Sequence, residues 1–289
     1  MKHDEDIILI AGPTASGKTS ASIKLAQANN AVIINADSMQ VYENLRIISA
    51  RPSQEETSQA PHYLFGHRSG AAAYSVAQWL DDVRPLTHRF LAEKRTIIFV
   101  GGTGQYFNAM LEGMSPMPDI DEDIRQKIRA MEDVSSPDLH KMLDEKAAKE
   151  LRPSDRQRIK RALEVYQSTG KSIIDWQAEK GVPLVPETAS VKKLLVMPPR
   201  ADIHDRINRR FDMMVEEGAL QEIEALIQKG FDPSLPVMKA IGVPQLAAHL
   251  AGEMELAEAI EKAKAATRQY AKRQSTWFNN SFGEGWEKI

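Results

Sequence analysis

Residues 12–19 read Gly-Pro-Thr-Ala-Ser-Gly-Lys-Thr and satisfy every fixed position of the pattern G-x-x-x-x-G-K-[ST]. Such a run binds anions. Its glycines let successive backbone N–H groups wrap a phosphate, and a following helix N-terminus adds the positive end of its dipole. Lys18 adds a point charge and Thr19 offers a hydroxyl to Mg²⁺. The run implies a ligand with two or more phosphates, held by Gly12, Pro13, Thr14, Ala15, Ser16, Gly17, Lys18 and Thr19. Asp37 is a second candidate, directly after the apolar run Ala31-Val32-Ile33-Ile34-Asn35-Ala36. A carboxylate there suits a metal-associated acid, a general base facing a crevice, or the cap of a helix. Gly101-Gly102-Thr103-Gly104 is a third, readable as a ligand-approach loop or as a tight turn whose Thr103 caps a helix.

Two stretches are rich in cations. Residues 152–161 hold five basic side chains against one acid, with Ile159, Ala162, Leu163 and Tyr166 on one apolar helical face and Arg158 and Arg161 projecting elsewhere. Lys264, Arg268 and Lys272 recur every four residues near the other end, beside Arg273-Gln274, with Tyr270 and Trp277 on another face. Either run alone is ordinarily a solvated face. Together, in a chain of net charge −3, they favour a polyanionic partner.

Several elements must position these residues. Ile7–Ala11, 31–36 and 96–100 read as strands, each ending at one of the three candidate sites, and 20–28 reads as a helix. Strands alternating with helices predict a parallel sheet whose ligands sit at the carboxyl ends of the strands. Ser115-Pro116-Met117-Pro118 breaks that pattern, and 119–180 carries helix signals alone. Among these are a capping box from Ser154 to Gln157 and a helix stop at Gly170. A strand returns at 192–197. The fold class is therefore α/β: a P-loop core with a parallel sheet flanked by helices (1–116 and 191–289), plus an inserted all-helical domain (117–190). With 289 residues, no cysteine and seven scattered histidines, the composition excludes disulfides and thiolate metal sites. No apolar run approaches a membrane span, and the charged start Lys2-His3-Asp4-Glu5-Asp6 is unlike a secretion signal, so a cytoplasmic protein is expected.

Taken in order, six segments resemble the bacterial tRNA isopentenyltransferase family, the tRNA dimethylallyltransferases. They are the loop at 12–19, Asp-Ser-Met-Gln-Val-Tyr (37–42), Tyr-Ser-Val-Ala-Gln (74–78) and Gly-Gly-Thr-Gly-Gln-Tyr-Phe (101–107). Gln-Arg-Ile-Lys-Arg-Ala-Leu-Glu-Val-Tyr (157–166) and Thr-Arg-Gln-Tyr-Ala-Lys-Arg-Gln-Ser-Thr-Trp-Phe (267–278) complete the set. The resemblance implies transfer of a dimethylallyl group from dimethylallyl diphosphate to N6 of the adenosine 3′ of the anticodon, with Mg²⁺ and release of diphosphate. It implies Asp37 as general base, Lys18 and Thr19-bound Mg²⁺ on the leaving group, Arg206 and Arg210 on the diphosphate, and Thr103 as a channel residue beside the nucleotide. Positions matching tRNA contacts are Asp37, Ser38, Met39, Gln40, Arg125, Gln157, Arg158, Ile159, Lys160 and Arg161, to which the second basic face adds Arg268, Lys272 and Arg273. ATP fits such a loop but is not the expected substrate. The expected partner is a tRNA anticodon stem-loop, with no membrane and with the chain acting as a monomer.

Overall fold

The apolar runs become a six-stranded sheet. In a computed structural model that describes residues 5–289, β1 (Ile7–Ala11), β2 (Val32–Asn35), β3 (His62–Tyr63), β4 (Ile97–Gly101), β5 (Val191–Leu195) and β6 (Glu287–Lys288) run in the order β3-β2-β4-β1-β5-β6. Lys2, His3 and Asp4 lie outside the described residues. Every pairing is parallel. Ala11 stands opposite Gly101 on one side and Leu195 on the other, and Asn35 stands opposite Val100. Register therefore brings the carboxyl ends of β1, β2 and β4 to one edge, where parallel sheets bind ligands.

β1, β2 and β4 are buried throughout because both faces are covered. On one face the helix Lys18–Asn29 packs Ile23 and Ala26 against Ile8, Ile10, Ile33, Ile98 and Val100. On the other, Trp79 of the helix Val76–Ala92 stacks on Tyr106 at 4.3 Å and meets Phe99 edge-on. Its indole N–H donates to the Asn35 carbonyl at 2.9 Å, satisfying a group that burial would otherwise orphan. Ser75 and Gln78, from the Tyr-Ser-Val-Ala-Gln segment, form the capping box of this helix, so that segment starts an element. A further core joins the irregular stretch after β2 (Val41, Tyr42, Leu45, Ile48) to the helices Arg200–Glu216, Ala219–Gln228, Val243–Leu250 and Leu256–Ser281.

The chain divides into two compact units, Met1–Ala109 with Val185–Ile289, and Met110–Leu184. The second unit begins seven residues and ends six residues earlier than the expected 117–190. The reason is local: the Leu184 N–H donates to the Met110 carbonyl at 2.9 Å, and Gly113 and Gly181 pack backbone against backbone, so the two chain ends of this unit close on each other. It contains the helices Glu122–Arg129, Ser136–Lys141, Glu145–Glu150, Arg156–Thr169 and Ile173–Gln177 and no strand among the described residues.

Other expectations shift for local reasons. The short strands β3 and β6 have too few residues to show an alternation in sequence. Asp155, not Ser154, caps the helix Arg156–Thr169, its carboxylate accepting the Arg158 N–H; the helix ends at left-handed Gly170 as expected. Ile159, Ala162 and Leu163 are buried, whereas Tyr166 is 41 % exposed and lies off the apolar face.

Candidate functional site

The loop at 12–19 connects β1 to the helix Lys18–Asn29 through Gly17, whose φ of 98° is a left-handed conformation that a side chain would strain. The loop is braced by three side chains from two helices, Arg200–Glu216 and Leu256–Ser281. Arg206 Nη1 donates to the Ser16 carbonyl at 3.1 Å, Arg210 Nη2 donates to the Thr14 hydroxyl at 2.6 Å, and the Thr14 N–H donates to Gln274 Oε1 at 2.8 Å. Lys18 turns its ammonium inward to the Pro13 carbonyl at 2.7 Å. Burial pushes the Lys18 pKa down to about 8; Asp37 opposes that shift and Arg210 adds to it. Burial likewise lowers Arg210, again against the pull of Asp37. A chamber lined by desolvated cations is poised for an anion.

Asp37 is fixed by its neighbours. Asn35, fully buried, accepts the Asp37 N–H through Oδ1 at 2.9 Å and donates through Nδ2 to the carbonyls of Asp37 and Leu64. Asp37 Oδ1 accepts the Met39 N–H at 3.0 Å, a turn closed by the side chain and not a helix cap. Thr103 lines neither of the cavities described below. Its oxygen accepts the Ser38 N–H at 3.0 Å and its hydroxyl donates to Ser38 Oγ, so it holds the turn that carries Asp37. Gln40 braces the same turn by donating to the Ser49 and Ala50 carbonyls. The Gly101–Gly104 glycines permit close approach: a Cβ on Gly101 would meet the Ala36 carbonyl oxygen at 1.9 Å, and one on Gly104 would enter the Trp277 ring.

Two cavities meet here. One of about 480 Å³ is lined by residues 14–19 of the loop, Arg206, Arg209, Arg210, Phe65 and Met213. The other, of about 350 Å³, is walled by Met39, Ile48, Ile207, Phe211, Met214 and Tyr270, with Lys239 and Arg273 also on its lining. Thr14, Asp37, Ser49 and Arg210 line both. Arg273 also lines a groove on one face of the last helix with Gln269, Lys272, Thr276, Trp277 and Asn280.

The second basic run is divided. Lys264 is 8 % exposed and paired with Asp212 and Glu261, and Arg268 donates to Asn208 at 2.6 Å, whereas Lys272 and Arg273 are exposed. In the helical unit Gln157 and Arg158 are exposed, and Arg161 is partly exposed beside Glu164. Arg125 pairs with Glu122. Two residues expected to contact a ligand do not present their side chains: Ile159 is 0 % exposed in the core of this unit, and Lys160 spends its ammonium on Glu132 and the Arg129 carbonyl. Gln274 and Tyr270, named in the sequence only as neighbours of the second basic face, are site residues: Gln274 accepts the Thr14 N–H and Tyr270 lines the second cavity.

No group of three or more His, Asp or Glu residues able to hold a metal occurs among the described residues. Thr19 lines the first cavity, and a hydroxyl beside substrate phosphates is the kind of donor Mg²⁺ accepts when it is carried mainly by its substrate.

The IPP transferase family profile matches residues 40–281, beginning after the phosphate loop. A tRNA dimethylallyltransferase of Allorhizobium ampelinum is 49 % identical over 98 % of this chain and 94 % of its own. The solved tRNA isopentenylpyrophosphate transferase of Bacillus halodurans superposes with a TM-score of 0.70 at 34 % identity, covering 98 % of this chain and 90 % of its own. A eukaryotic dimethylallyltransferase acting on tRNA superposes with a TM-score of 0.79 at 28 % identity, covering 95 % of this chain and 70 % of its own.

Proposed function

The chain belongs to the IPP transferase family, and on that premise we propose that it transfers a dimethylallyl group from dimethylallyl diphosphate to N6 of the adenosine 3′ of the anticodon in tRNA. The observation that carries this reading is the shared wall of the two cavities, where Asp37 and Arg210 face a cationic chamber on one side and an apolar, aromatic one on the other. Diphosphate suits the first chamber. The second suits an extruded base, which an enzyme acting on a stacked nucleotide must take out of its stack.

In the reaction the N6–C bond forms as the allylic C–O bond breaks, and diphosphate leaves with the electron pair. The backbone N–H groups of the loop, with Lys18 and Arg210, meet the negative charge that develops on the leaving group. An exocyclic amine is a weak nucleophile, and Asp37 accepts its proton as the new bond forms. Thr19 would hold Mg²⁺, which when bound would supply further charge neutralisation on the leaving group.

The groove that shares Arg273 with the second cavity gives the flanking RNA a route: Lys272 and Arg273 offer cations, Trp277 an aromatic ring, and Gln269 and Asn280 amides. In the helical unit, Arg125, Gln157, Arg158 and Arg161 are the proposed RNA-facing side chains. A tRNA substrate supports a cytoplasmic location. No helix among the described residues is long and apolar enough to cross a membrane. Incubating unmodified tRNA with the protein, Mg²⁺ and dimethylallyl diphosphate, then analysing nucleosides by mass spectrometry, tests the reading. N6-dimethylallyladenosine is expected only with both substrates. Diphosphate release that needs no RNA would sink it.

A further inference from the structure

The amide of Gln274 bridges the two halves of the site. It is 7 % exposed on the helix Leu256–Ser281, its Oε1 accepts the Thr14 N–H at 2.8 Å, and its Nε2 donates to the Gly102 carbonyl at 2.8 Å. Those partners leave the side chain one orientation, because a backbone N–H only donates and a carbonyl only accepts. No other uncharged side chain of that length supplies both groups. The residue it reaches is shaped for it: a Cβ on Gly102 would lie 2.5 Å from Gln274 Nε2 and 3.2 Å from Asp37 Oδ2. Gly102 is thus wedged between the bridging amide and the carboxylate, and its neighbour Thr103 holds the Ser38 N–H of the turn that carries Asp37.

We infer that Gln274 is a positioning residue that sets the spacing between the diphosphate loop and the loop beside Asp37, and so the distance across which the allylic carbon is transferred. The inference rests on the activity proposed above. Gln274 touches the backbone of both loops, so its loss should disturb the alignment of bound substrates more than their binding. Misplacement by about 1 Å costs on the order of 100-fold in rate.

The test compares Gln274→Ala and Gln274→Glu in steady-state prenylation of an anticodon stem-loop. Both variants should lose about 10- to 100-fold in kcat, with KM for either substrate within about threefold of wild type. Gln274→Glu carries a signature that a fold-stabilising role would not produce. Its carboxylate keeps the bond from Thr14 but sets an acceptor against the Gly102 carbonyl, and protonation restores the donor. Burial raises the pKa of such a carboxyl. The ratio of its kcat to that of wild type should therefore climb as pH falls from 8.5 to 6, while the ratio for Gln274→Ala stays flat. A kcat within about twofold of wild type in both variants, or losses that follow the melting temperature with no pH-dependent recovery, would overturn the inference. A wild-type chain that fails to prenylate the stem-loop would refute the proposed function and this role with it. An active wild type with unaffected variants would refute the role of Gln274 alone.

Discussion

Arg210 donates to the Thr14 hydroxyl at 2.6 Å across the wall shared by the two cavities. Both residues line both chambers, so the guanidinium that braces the phosphate loop also borders the space proposed for the base. Burial lowers its pKa and Asp37 opposes that shift, so the cation and the carboxylate are electrostatic neighbours before any ligand arrives.

Lys18 gives this arrangement a pH dependence. Its pKa in the ligand-free site is about 8, and a bound diphosphate raises it by placing negative charge beside the ammonium. Binding then takes up a proton above pH 8, so affinity for inorganic diphosphate is greatest below that value and falls as pH rises through it. The ligand-free fold responds in the opposite sense: the cost of burying the charged amine is present below pH 8 and relieved toward the ordinary value of 10.5. Calorimetric titrations from pH 7 to 9.5 should show the decline, and subtracting the curve for Lys18→Met removes the ionisation of the ligand itself. Parallel curves for the two proteins would refute the assignment.

Asp37→Asn separates proton removal from structure. The amide oxygen can still accept the Met39 N–H, and the Asn35 bonds involve only the backbone of residue 37. The variant should therefore fold with an unchanged melting temperature and bind diphosphate at least as well, since a negative charge beside Lys18 and Arg210 is gone. Its kcat should fall by about 10²- to 10⁴-fold, the usual worth of a positioned base. Retention of more than a tenth of wild-type kcat would argue for another proton acceptor.

Much of this was legible in the residues because local chemistry wrote it. The pattern at 12–19 specifies its own turn, and unbroken apolar runs marked β1, β2 and β4, whose ends carry the loop, Asp37 and Gly102. What stayed hidden depends on distant partners. Nothing around Thr103 shows that its hydroxyl is committed to Ser38, 65 residues away, and nothing around Lys160 shows that its ammonium is committed to Glu132. Gln274 reaches Gly102 across 172 residues, a relation no periodicity encodes. Charge is visible in sequence; whether a charge is already neutralised is a tertiary property.

Gly101 offers a test of the fold beneath the site. An added Cβ would stand 1.9 Å from the Ala36 carbonyl oxygen, a backbone atom that cannot rotate aside. Gly101→Ala should cost at least about 1–3 kcal/mol, the range for overpacked interiors, and lower the melting temperature by several degrees. Gly252→Ala, with open space around the residue but a φ of 76°, is the control for strain without a clash and should cost less. Equal losses in the two variants would refute a close-contact role for Gly101.

The same distinction between free and committed cations predicts how RNA affinity responds to salt. Each phosphate contact contributes about one unit to the slope of log affinity against log salt. Lys272 and Arg273 are exposed beside Trp277 in the groove adjoining the second cavity, so Lys272→Ala and Arg273→Ala should each lower the slope by about one unit. Lys160→Ala removes a side chain already bound to Glu132 and to the Arg129 carbonyl, so the slope should hardly change while the melting temperature falls. Filter binding of an anticodon stem-loop between 50 and 200 mM salt measures all three, the range over which phosphate-driven affinities fall by orders of magnitude. If Lys160→Ala lowers the slope as much as Lys272→Ala, its ion pair does not hold it from RNA, and burial within the fold is a poor guide to which cations reach the nucleic acid.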